Sequence, residues 1–201
     1  MANILSGRVP PRGDAVEAIH RQFEALASPG AALNGEQRVG IAAAARSGEI
    51  HDELQTLAHH LYSSPATVHE EHVRNAAGRR GEAATVEVVG IVARLACVDR
   101  VNQVLGVDPD PLPGPVPGDP AGDIRSGLKR RRGFLPKPPG EIPVALDLVP
   151  SEGQSLRAMF GPMYMTDDEM DDPLFHRQPG LDTPQLETIA SRVSFLNECF
   201  Y

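Results

Sequence analysis

Two residues near the C-terminal end of the 201-residue chain, a carboxylate and a thiol, are of types that can do chemistry. Eleven residues separate Glu187 from Cys199, so the segment reads Glu-x11-Cys within Gln185 to Tyr201. A thiol reacts as its thiolate, the species that exchanges with disulfides or attacks oxidised sulfur. A straight helix would hold the two about 18 Å apart at 1.5 Å per residue. They can meet only if the helix breaks near Leu196-Asn197.

Other clusters of reactive residues favour plainer readings. Five of the seven histidines lie between His51 and His72, including His59-His60 and His69-Glu70-Glu71-His72. No His-Glu-x-x-His occurs, and adjacent histidines point to different sides of a helix, so solvated helix-face histidines are expected and no metal site. The acidic run Asp167-Asp168-Glu169 with Asp171-Asp172 lacks the glycine and closing glutamate of a calcium loop and reads as an exposed turn. Cys97, in an apolar helical stripe, reads as a small core residue. The basic run Lys129 to Arg132 lacks a glycine-rich strand-to-helix turn and reads as a solvated linker patch rather than an anion site.

The elements that must position Glu187 and Cys199 are helices. Asp14 with Glu17 predicts a capping box, Asn34 caps a run ending at Gly48, and Ser64-Pro65 opens a segment that Gly78 closes. From Ala84 to Leu105 apolar residues recur at helical spacing, with Gly106 placed to end the run. Between residues 107 and 150 stand eleven of the nineteen prolines and six glycines, a density that excludes regular helix or central strand. Helical signals resume at Ser151, with a helix of Met159 to Met165 expected before the acidic turn. They return at Asp182, which forms a capping box with Gln185. The fold class is all-α, with helical regions 1–106 and 151–201 joined by a Pro/Gly-rich linker, 107–150. A shift of 148 residues aligns Leu33, Gln37, Ile41 and Ala42 with Leu181, Gln185, Ile189 and Ala190. That is a weak internal repeat, in which Val39 and His51 fall opposite Glu187 and Cys199.

Composition narrows the partners. A net charge of -8 disfavours nucleic acid and anionic membrane surfaces. The most apolar stretch, Val86 to Val98, is broken by Glu87 and Arg94, so no membrane span or leader is expected and the protein reads as cytoplasmic. Two cysteines cannot make a disulfide framework.

The segment Gln185 to Tyr201 resembles the active-site region of the carboxymuconolactone decarboxylase and alkylhydroperoxidase D superfamily. The matching features are Glu-x11-Cys, the pair Ser194-x-x-Asn197 and the aromatic Tyr201. The stretch from Gly81 to Gly106 is similar to the helical scaffold of two-domain members. The resemblance implies a helical bundle in which 1–106 is a degenerate copy and 151–201 the start of a second. It also implies a hydroperoxide reductase or thiol-disulfide oxidoreductase without a cofactor, using a thiol electron donor and assembling as a homo-oligomer. Cys199 would be the resolving thiol and Glu187 a proton-relay carboxylate. The attacking cysteine, or in some relatives selenocysteine, would follow Tyr201, so residues 1–201 alone are expected to lack peroxidase turnover. The alternative is a non-catalytic helical scaffold that binds a partner. Lactone decarboxylation, the superfamily's other activity, fits Cys199 less well.

Overall fold

The computed structural model describes residues 12–131, 133–140, 144–176 and 180–198. They form an all-α fold, with a two-strand ribbon as the sheet among them. Helices α1 (Gly13–Glu24), α2 (Gly35–Ser47), α3 (Glu53–Ser63), α4 (Glu70–Arg80) and α5 (Glu82–Leu105) come first. The ribbon pairs β1 (Lys129–Arg130) with β2 (Pro136–Lys137) in antiparallel register, and α6 (Pro150–Met163), α7 (Asp167–Met170) and α8 (Thr183–Leu196) follow.

Helix ends follow local chemistry, with several corrections. Asn34 accepts the Gln37 N–H at 2.9 Å, the Gln37 side chain accepts the Asn34 N–H, and α2 ends at Gly48. Asp14 does not cap α1. The helix already begins at Gly13, so Asp14 sits in the first turn, where its carboxylate complements the exposed N–H groups and pairs with Arg12. Ser64-Pro65 opens a single 3-10 turn, and α4 starts later and runs through Gly78 to Gly81. Gly81 has φ +90°, a conformation that only glycine adopts without strain, whereas Gly78 stays in the helical region. The acidic run is organised by Thr166 and Glu169: the Thr166 N–H donates to Glu169 Oε2, and the Glu169 N–H to Thr166 Oγ1. That is a capping box, and one helical turn, α7, follows it. Helix α6 stops at Met163 rather than Met165, with Pro162 in its last turn.

Helix α5 is the spine, buried around its circumference. Ile91, Leu95 and Val98 pack with Ile19 and Phe23 of α1, Ile41 and Ala45 of α2, Leu54 and Leu57 of α3, and Val73 of α4. Helix α6 packs on α1 and α5. Four charged side chains lie inside this core. Arg38 on α2 donates through Nη1 to Glu87 Oε2 at 2.6 Å and lies 2.9 Å from Glu152 Oε1 of α6. Arg94 Nη2 reaches Glu152 Oε2 at 2.5 Å, and the Ala32 N–H donates to Glu87 Oε1. Burial raises the affinity of Glu87 for its proton, an effect that Arg38 partly offsets. Burial likewise lowers Arg94 from its usual range. Two glycines make room: a Cβ on Gly30 would collide with Glu87 Oε2, and one on Gly90 with Glu152 Oε2. The two Arg and two Glu are neutral together, the condition under which ions tolerate a dry interior.

Residues 107–128 run as an extended strap along the helices. The Val116 N–H donates to Ala27 O, Ala121 N–H to Gly30 O, Gly122 N–H to Ala31 O and Arg125 N–H to Leu148 O, all at 2.8–2.9 Å. At the strap's start, Arg46 grips both Asp99 oxygens at 2.6 and 2.9 Å and donates to Asp110 O, while Tyr62 donates to Asp99 Oδ2. Leu146, Leu148 and Val149 close a smaller apolar cluster over Val86.

Candidate functional site

Helix α8 begins as its sequence requires. Asp182 accepts the Gln185 N–H at 2.9 Å, Gln185 returns the bond at 3.0 Å, and Pro184 occupies the first turn. Thr183 ties the start to Phe175 O through both its N–H and its hydroxyl. No residue of α8 is buried. Ile189, Val193 and Leu196 form an exposed apolar stripe.

Glu187 stands on α8, exposed. The Tyr164 hydroxyl, just past the end of α6, donates to Glu187 Oε1 at 2.5 Å. Burial, followed by the bond to this carboxylate and its charge, pushes the Tyr164 phenol up to about 12. Helix α8 ends at Leu196, where Asn197 caps it and donates through both its N–H and its side chain to Val193 O. Glu198 then takes φ +52°, which turns the chain out of the helix. The break that would let Glu187 and Cys199 meet therefore lies at Leu196-Asn197. Cys199 itself lies outside the described residues, as do Phe200 and Tyr201.

The other candidates sit as follows. Cys97 is half-buried, its thiol 3.6 Å from Met163 Sδ, and burial pushes it up to about 11. Such a thiol is protonated at neutral pH and a poor nucleophile. His59 bonds Ala45 O through Nδ1, while His72 accepts the His69 N–H and stacks against the His69 ring. These histidines serve helix ends. Among the described residues no group of three or more His, Cys, Asp or Glu could hold a metal ion. Arg130 pairs with Glu82 at 3.0 Å, and Lys129 and Arg131 are exposed. Arg132 lies outside the described residues.

Two features escaped sequence reasoning. Tyr164 lies 23 residues before its partner, and no periodic pattern links them. The buried ion quartet did leave a signal: Glu87 and Arg94, seven apart in the most apolar stretch of the chain, are both buried. Charges inside a helix buried on all sides must find opposite charges on its neighbours, here Arg38 of α2 for Glu87 and Glu152 of α6 for Arg94.

No helix of the described residues is long and apolar enough to cross a membrane. No family model, curated protein or solved structure matches the chain.

Proposed function

We propose that the C-terminal end of this chain carries half of a thiol-dependent hydroperoxide-reducing centre, with Glu187 as proton acceptor and Cys199 as resolving thiol. The observation that supports the reading is the end of α8: the helix stops between the two residues, and Glu198 leaves helical geometry at φ +52°. Glu187 takes the proton of Cys199, and the thiolate attacks a sulfenic or selenenic acid formed when a second reactive group reduces a hydroperoxide to an alcohol. The new sulfur bond releases water, and a thiol donor returns two electrons. Cys97 is not that second group, being half-buried and protonated.

A small aromatic disulfide provides the test, since Cys199 attack on it breaks one S–S bond and releases one coloured thiolate. Glu187→Gln is expected to slow the release by about tenfold or more, in line with the loss of a general base. Cys97→Ala should leave the rate unchanged. A Glu187→Gln protein as fast as the parent would overturn the reading.

The exposed stripe on α8 favours a second reading, a non-catalytic subunit that covers Ile189, Val193 and Leu196 with a partner, another copy in a homo-oligomer being one such partner. Serine at these three positions should abolish that association while leaving disulfide exchange intact. Unchanged association would rule it out.

A further inference from the structure

An exposed glutamate usually samples several rotamers, yet the Glu187 carboxylate accepts a hydrogen bond from Tyr164, just past the end of α6. We infer that Tyr164 is the positioning residue for the Glu187 carboxylate, an inference that rests on the proton-acceptor role proposed for Glu187. The phenol is well placed to fix a more mobile group. It lies at the end of α6, where its own N–H bonds Phe160 O at 2.6 Å. On one side Met163 packs into the core, and on the other Met165 is buried. Upstream, Glu152 anchors α6 to Arg38 and Arg94. The body of the molecule thus holds the donor, and α8, with no buried residue, carries the acceptor.

The bond divides the work between the two carboxylate oxygens. Oε1 accepts from the phenol, and among the described residues no other bond to the Glu187 carboxylate is formed. Oε2 is left to receive a proton, with its direction set by the fixed Oε1. The gain is orientation: a base held in one rotamer does not lose that freedom again during proton transfer.

Two measurements test the inference. The Cζ resonance of carbon-13-labelled tyrosine reports phenol hydrogen bonding at neutral pH. Glu187→Gln should move the Tyr164 resonance and leave that of Tyr62, bonded to Asp99, in place. An unmoved Tyr164 resonance overturns the inference, while the role of Glu187 survives if its variant still slows exchange. In the kinetic arm, Tyr164→Phe should slow Cys199 disulfide exchange about three- to tenfold. The double variant Tyr164→Phe with Glu187→Gln should be no slower than Glu187→Gln alone, because the phenol acts only through the carboxylate. Multiplicative losses, or a Tyr164→Phe rate equal to the parent's, overturn it. If Glu187→Gln exchanges at the parental rate while the resonance still moves, the pair exists but the proposed relay is wrong, and the positioning role falls with the relay.

Discussion

Helices α2 and α8 start alike and differ in everything that surrounds them. A shift of 148 residues carries Asn34 onto Asp182 and Gln37 onto Gln185, and both pairs close reciprocal capping boxes. The helices run 13 and 14 residues. In α2, Ile41 is 3% exposed and Ala42 1%, against α3 and α5. In α8, Ile189 at the matching position is 52% exposed. Caps and period decide that a helix forms and where it starts; whether its apolar face is buried depends on what packs against it.

Matched substitutions can break this comparison. The largest contrast is expected where Arg38 of α2 falls opposite Leu186 of α8. Arg38→Ala leaves Glu87 without its cation and the buried quartet with an excess negative charge, and should cost about 3–5 kcal/mol in urea unfolding. Leu186→Ala should cost far less, and comparable losses would mean that α8 is packed in solution.

Next comes the isoleucine pair. Ile41→Ala should destabilise by about 2–5 kcal/mol through the cavity it leaves, whereas Ile189→Ala should stay within about 0.5 kcal/mol. Equal losses would again place a cover over α8.

The caps should differ in kind rather than size. Asn34→Ala is expected to lower global stability by about 1 kcal/mol. Asp182→Ala should withdraw a similar amount from α8 alone, visible as faster amide exchange over 183–196 with an unchanged global transition.

A pH-dependent effect, confined to alkaline conditions, lies on the α5 side of the comparison. The Cys97 thiol, pushed up to about 11 by burial, holds its proton more tightly folded than unfolded. Its contribution to stability is therefore complete below the unfolded value near 9 and is lost as pH rises through about 11. Cys97→Ala should flatten that alkaline decline, and parallel curves for parent and variant would contradict it.

Much of the scaffold could be read directly from residues. The Asn34 and Asp182 boxes and the long helix ending at Gly106 follow from capping chemistry and 3.6-residue spacing, which act within a few residues. At α1 the same reasoning misplaced the cap, because an acidic residue suits the first helical turn as well as the position before it. At α4 it read Gly78 as a stop, although a glycine ends a helix only where the backbone takes positive φ. Near the candidate site, α8 ends at Leu196-Asn197, where the sequence reading required a break if Glu187 and Cys199 were to meet. Tyr164 was not legible, because its meeting with Glu187 depends on how α6 is anchored by Glu152, a contact between residues far apart in the chain.

The strap also bears on how this chain can change over generations. Val116, Ala121, Gly122 and Arg125 hold it through their main-chain N–H groups, and their acceptors are carbonyls, so these bonds survive many side-chain replacements. Spacing is what they depend on. Ala121 and Gly122 meet Gly30 and Ala31 in step, so removing one residue after Val116 would misalign both bonds, while exchanging Asp119 for another polar residue would disturb neither. Drift in composition with strict conservation of length is the signature to expect between residues 116 and 125 in descendants of this protein.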